Sequence, residues 1–283
     1  MALGICPLSA VAVRNTSSHS SEMLSQLLFG ELIEILDAKG RNWVKVRCLE
    51  DQCVGWVSQN QIKNITPAEF EHYQSNFAFV LDFLQSAMAD DHYLPLTIGA
   101  RLPGFDGLRF QLGEMSYQFS GQAVFPKDIE PTSEILLKIA RKYLNAPYLK
   151  GGRTPLGIDS SGLAQLIFRF AGLILPRDAE LQVESGETVD FVEQTLPGDL
   201  AFFENQLGRI THVGIVFPEQ QVLHVSGKVR LDPLDHFGAF NKDLGKYTHR
   251  LRVIKRLLNR ATPVKDISNT AVSAALSNQF ELF

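Results

Sequence analysis

Over the first 63 positions, apolar residues fall in short alternating runs: Ala10–Arg14, Glu31–Asp37, Trp43–Cys48 and Val54–Ser58. Turn-forming pieces such as Asp37-Ala-Lys-Gly-Arg-Asn42 separate them, a spacing that predicts a small antiparallel barrel over residues 1–63. Residues 64–90 read as a helical linker, with Phe70, Phe77, Phe79, Val80, Phe83 and Leu84 on one loose apolar face. Alternation returns over 91–128, in Leu94–Ile98, Leu108–Leu112 and Ser116–Phe119, punctuated by Gly104, Asp106-Gly107, Gly113 and Gly121. This segment predicts a second small barrel. From 129 to 260 helical patterning comes first and strand patterning later, which is an α+β order. A helix starts near Thr132 with Ile135, Leu136, Ile139, Ala140, Tyr143 and Leu144 as its buried stripe, and Asn145 and Pro147 end it. Residues 261–283, rich in Ser, Asn and Ala, read as a loosely held tail.

Within the last domain, the stretch Gly157-Ile-Asp-Ser-Ser-Gly-Leu-Ala-Gln-Leu-Ile-Phe-Arg-Phe170 carries the most chemical information. Leu163, Leu166, Ile167 and Phe170 recur at helical spacing, so the Asp-Ser-Ser-Gly turn runs into an amphipathic helix with Ser160 at its start. Free amides and the helix dipole at that end favour developing negative charge, which suits a nucleophile. A plain N-cap is the competing role, since Ser and Asp both favour that position. His212 and His224 follow in apolar, strand-like runs. A nucleophile first and a base later is a workable order for a hydrolytic dyad or triad.

Composition narrows the class. The chain has 283 residues, 45% hydrophobic, enough for several cores. A net charge of −4 gives no electrostatic case for nucleic acid or an anionic membrane as partner. No apolar run is long enough to span a bilayer, and the N-terminus lacks a basic segment before its apolar residues, so a cytoplasmic location is expected. The three cysteines, Cys6, Cys48 and Cys53, suit a reducing compartment. Cys48 and Cys53 could face each other across a hairpin, but free thiols are the expectation. No metal-ligand spacing and no phosphate loop is present, so neither metal nor cofactor is expected.

Six blocks in order carry a resemblance: Ala146-Pro-Tyr-Leu-Lys-Gly-Gly152, Gly157-Ile-Asp-Ser-Ser-Gly-Leu163, Leu175-Pro-Arg-Asp178, Pro197-Gly-Asp-Leu-Ala-Phe-Phe203, Thr211-His-Val-Gly-Ile215 and Leu223-His-Val-Ser-Gly227. Over roughly residues 130–257 the chain resembles the NlpC/P60 cysteine peptidases. Leu27-Leu-Phe-Gly-Glu31 and Gly55-Trp56-Val57 make the N-terminal part similar to the bacterial SH3 domains joined to them. The resemblance implies a papain-like domain behind two SH3-like barrels. It also implies hydrolysis of the γ-D-Glu–diamino acid bond in peptidoglycan stem peptides with a free N-terminal L-Ala, in cell-wall recycling. On these blocks His212 would be the base and His224 the residue that orients it. The amide of residue 160, with Tyr148, would face the oxyanion. Asp159 and Ser161, with Glu22 from the first barrel, would recognise the substrate amine. Arg177-Asp178 reads as a structural ion pair. His236 and His249 match no block and are expected at the surface.

The family carries cysteine where this chain has Ser160. Two readings stand: a Cys→Ser replacement introduced to disable the site, or a natural serine in a serine-using variant or an inactive relative. The other blocks are intact, which favours the introduced replacement. A site tuned for a thiolate is expected to be inactive or very slow with a hydroxyl. Against the peptidase stands a muropeptide-binding module without catalysis and, more remotely, an amidase or acyltransferase on the same fold.

Overall fold

A computed structural model describes residues 2–258; the tail expected over 261–283 lies outside the described residues. The first unit comprises β1 (Ala2–Ile5), β2 (Ala10–Arg14), β3 (Met23–Leu28), β4 (Leu32–Lys39), β5 (Trp43–Cys48), β6 (Val54–Ser58) and β7 (Lys63–Ile65). They form one seven-stranded sheet in the order β3-β2-β6-β5-β4-β1-β7. Alternation sets its inner face: Val11, Val13, Val44, Val46 and Val57 are buried, and the intervening Ala12 and Lys45 are only partly so. The thiols of Cys6, Cys48 and Cys53 are free, and Cys48 donates its amide to the Cys53 carbonyl at 2.9 Å across the β5–β6 turn.

Helix α1 (Pro67–Ser75) follows, closed at its N-terminus by a reciprocal cap between Thr66 and Glu69. The helix expected to run to residue 90 stops at Ser75. Beyond it lie β8 (Phe77–Val80), β9 (Leu84–Met88), β10 (Tyr93–Thr97), β11 (Arg101–Pro103), β12 (Arg109–Leu112), β13 (Met115–Gln118) and β14 (Ala123–Val124). The Phe-Ala-Phe-Val run of β8 pairs with β11 and β14 instead of continuing the helix. A short apolar run fits either element, and here strand partners decide. The second unit therefore begins at residue 77, and its sheets of four and three strands share a core with Ile5, Phe29 and Leu32 of the first unit.

The last unit is α+β, as its pattern predicts. It contains α2 (Ser133–Arg141), β15 (Arg153–Thr154), β16 (Gly157–Ile158), α3 (Ser160–Arg169), α4 (Ala179–Gln182) and β17 (Glu187–Val189). After these come β18 (Leu200–Glu204), β19 (Ile210–Phe217), β20 (Gln221–Ser226), β21 (Lys228–Pro233), β22 (Gly238–Asn241) and β23 (Lys246–Arg256). The sheet runs β17-β23-β18-β19-β20-β21 with β22 paired to β23. Leu163, Leu166 and Ile167 of α3 share a core with Val213 and Ile215 of β19 and Leu223 and Val225 of β20.

Buried charges join the three units. Glu31 of the first unit takes two bonds from Arg153, at 2.8 and 2.9 Å, and one from Arg169 at 2.8 Å. Arg169 also reaches Glu50, which in turn holds Arg101 of the second unit at 2.9 Å. The Arg101 and Arg169 guanidiniums stand 3.6 and 4.8 Å from the ring centres of Phe77 and Phe79. Burial alone would push the Glu31 carboxyl up, but Arg153 and Arg169 outweigh it and hold the group at about 2. No helix among the described residues is long and apolar enough to cross a membrane.

Candidate active site

Ser160 is the first residue of α3, and Asp159, not Ser160, is its cap: Asp159 Oδ1 accepts the Gly162 amide at 2.8 Å. The other oxygen, Oδ2, accepts the Gly151 amide at 2.8 Å. Arg177, expected to pair with Asp178, turns instead under the helix and clasps both oxygens of Asp159, at 3.0 and 2.7 Å. The same guanidinium donates to Ser161 Oγ at 2.8 Å and to Ser25 Oγ, on β3, at 3.1 Å. Asp159 and Ser161 are thus one arginine-held unit tied to the first domain. With its own cap supplied by Asp159, Ser160 is free to be the reactive position, and its residue is 9% exposed.

His212 lies at the start of β19, where the register with β18 shifts between Phe203 and Glu204. Such a bulge re-aims the side chains beside it. His212 Nε2 meets His224 Nδ1 at 3.0 Å, and His224 Nε2 meets Asp232 Oδ2 at 3.0 Å. Arg230 donates to the other Asp232 oxygen at 2.8 Å. The β20–β21 pairing sets His224 opposite Arg230 and Val222 opposite Asp232, so these polar groups share one face of the hairpin. Gly227 makes the turn with φ +71°, a region that favours glycine.

The order of these bonds dictates the protons. A carboxylate only accepts, so His224 carries hydrogen on Nε2, and the tautomer with its lone pair on Nδ1 accepts from His212. His212 must then donate from Nε2, which leaves its Nδ1 lone pair as the available base. Burial, then the neighbouring His249 and His224 rings, hold His212 well below its ordinary value, so it is neutral at pH 7. Burial pushes Asp232 up, but hydrogen bonds from His224 and Arg230 prevail and keep its carboxyl below the usual range. No hydrogen bond joins Ser160 to either histidine among the described residues.

His249 is not the surface residue expected of it. It stacks on His212 with ring centres 4.0 Å apart and stands edge-on to His224 at 5.0 Å. Its Nδ1 meets Thr248 Oγ1 at 2.9 Å. Burial, then His224, lowers it to about 4. No motif marks this residue; β23 brings it there by pairing with β18, whose Phe203 ring contacts all three histidines. Asp232 was also missed, although a turn centred on Gly227 was enough to place it two residues beyond the partner of His224. His236 is exposed, as expected.

The remaining expected residues gather at the 147–152 loop. Tyr148 is half exposed and donates its amide to the Gly227 carbonyl at 3.0 Å, beside a bridge to Ile158. Glu22 forms an ion pair with Lys150, not with any group of α3. Gly151, at φ +76°, presses on β3 so closely that a Cβ there would lie 2.3 Å from the Met23 carbonyl oxygen.

Residues 145–245 match the NlpC/P60 family, and residues 13–62 match the bacterial dipeptidyl-peptidase SH3 domain. The chain carries an NlpC/P60 domain behind a bacterial SH3 domain. Among similar proteins is a γ-D-glutamyl-L-lysine dipeptidyl-peptidase of Bacillus cereus, 26% identical over 256 residues, covering 81% of this chain and 75% of that protein. A protein of the same name from Bacillus subtilis is 29% identical over 222 residues, 71% of each chain. A solved NlpC/P60 family structure from Bacillus cereus superposes with a TM-score of 0.76 over 91% of this chain and 100% of that one, at 19% identity, a likeness of fold. The likeness of fold covers 91% of this chain, so it takes in the N-terminal units as well as the NlpC/P60 domain.

Proposed function

We propose that the chain is built to hydrolyse the γ-D-Glu–diamino acid bond of short peptidoglycan peptides with a free N-terminal L-Ala, in cell-wall recycling in the cytoplasm, and that Ser160 leaves it inactive or very slow. The Asp232–His224–His212 relay carries this reading, because it leaves a basic nitrogen on His212 beside strands that pack on α3. In the active form a cysteine at 160 gives its proton to His212, attacks the amide carbon, and receives help at the oxyanion from the residue-160 amide and Tyr148. His212 then returns the proton to the leaving amine. In the second half it takes a proton from a water that attacks the thioester carbon, so that the acid product leaves and the proton goes back to the thiol. A neutral, acid-shifted imidazole is a weak base for a serine hydroxyl, whereas a thiol at a helix N-terminus ionises far more readily.

The substrate amine is recognised near Asp159, Ser161 and Glu22. Arg177 already balances Asp159, so Asp159 and Ser161 act as a rigid polar wall. Glu22 is the exposed carboxylate there, and the incoming ammonium displaces that of Lys150 from it. Hydrolysis of L-Ala-γ-D-Glu-meso-diaminopimelate by this chain and by Ser160→Cys tests the reading. Activity in the cysteine protein is expected; silence in both refutes it. A second reading, a muropeptide-binding module, is favoured by Ser160 itself, unbonded to the relay. Calorimetry with the same tripeptide decides it, and absence of binding removes it.

A further inference from the structure

The histidine cluster has a second property that hydrolysis does not use. One nitrogen from each of His212, His224 and His249 lies within 4.8 Å of the other two. One pair, His212 Nε2 and His224 Nδ1, is 3.0 Å apart. Two nitrogens on a tetrahedral zinc ion, each at about 2.0–2.1 Å, stand roughly 3.4 Å apart. The histidine pair stands about 0.4 Å inside such an edge, so an ion taking the place of the shared proton parts the two rings slightly, and the His249 nitrogen, within 4.8 Å, has to move inward to join them.

The outer bonds have the pattern that metal-binding imidazoles use. His224 commits Nε2 to Asp232, the carboxylate–histidine arrangement that orients a ligand ring and raises its basicity. His249 commits Nδ1 to Thr248 Oγ1 and keeps Nε2 available. Three imidazoles with no carboxylate among them suit a borderline transition ion, not magnesium or calcium.

We propose that His212, His224 and His249 bind one zinc-class divalent ion per chain, and that the bound ion switches off the base. For the ion to take His212 Nε2, the proton there moves to Nδ1, and His224 Nδ1 offers the lone pair that formerly accepted it. No proton leaves and no electron is transferred. His212 Nδ1, now N–H, no longer accepts a proton from residue 160. The inference rests on the histidine geometry, so a chain that binds zinc and hydrolyses nothing leaves it standing while sinking the peptidase reading.

The test is titration of the metal-stripped full chain with zinc by calorimetry and with cobalt(II) by visible absorption. Saturation at one ion per chain is expected, with the spectrum of a four-coordinate cobalt ion. Nitrogen NMR should show His212 passing from the Nε2–H to the Nδ1–H form. Asp232→Asn should weaken binding about 10–100-fold, and His249→Gln by more. Neither change touches the thiols, which separates this site from binding at Cys53. Thr248→Val, a milder change, covers the case in which His249→Gln does not fold. Absence of saturable binding at millimolar zinc, or unchanged affinity in the folded variants, overturns the proposal.

Discussion

Replacing Glu31 with Gln should cost this protein a large part of its stability, and the cost should depend on pH in a definite way. The carboxyl is held at about 2 in the fold, against about 4.3 for a free glutamate. Linkage converts that difference into about 3 kcal/mol. Because the folded value is depressed, the contribution is complete above about pH 5, where the unfolded chain is also ionised, and is lost as pH falls towards 2. Removing one member of a buried pair independently costs about 3–5 kcal/mol, since the partner charge is stranded. Here Arg153, with a side chain 3% exposed, loses its bidentate carboxylate, while Arg169 keeps Glu50. Urea unfolding of both proteins at pH 7 and pH 3, followed by fluorescence, measures the gap. We expect about 3–5 kcal/mol at pH 7, narrowing at pH 3. A gap below about 1 kcal/mol at pH 7, or one that does not change with pH, would refute the assignment of a buried, ionised Glu31.

Other outcomes follow from the site. In the Ser160→Cys protein, Asp232→Asn should lower kcat by about 10³–10⁴-fold with little change in KM, because the tautomer of His212 is no longer dictated; steady-state kinetics decide this. In the serine chain, NMR titration should show His212 neutral down through pH 6.5 and His249 titrating near pH 4; a midpoint at or above 6.5 for His212 contradicts the burial argument. Gly151→Ala should destabilise by about 2 kcal/mol, from the left-handed φ and the collision with Met23, read as a lowered Tm.

The strands with strict alternation were legible: Trp43–Cys48 and Val54–Ser58 coincide with β5 and β6 to the residue. The helix at Ser160 was equally plain, since its apolar spacing and polar entry turn agree. Reading Phe77–Val80 as helix failed because four apolar residues carry no period of their own, and only β11 and β14 settle their state. His212 and His224 were visible through motif blocks. Asp232 and His249 reach the cluster through strand pairing, a long-range relation that no local pattern states. The arginines were hardest to read: nothing in the sequence singles out Arg153 or Arg169, and Arg177 points to its neighbour Asp178, yet all three are buried against acids of other segments.

The hairpin of β20 and β21 pairs from Gln221 with Pro233 to Ser226 with Lys228 without a shift. His224 and Asp232 are eight positions apart on that ladder, so where the base keeps its proton is set by chain length across one turn. A one-residue slip of that register at Gly227 would move every later side chain of β21 to the opposite face, Asp232 included. Chemistry at this site is therefore vulnerable to insertions and deletions in a turn that supplies none of its side chains. Two relatives with every site residue preserved can differ in competence through the length of a loop alone.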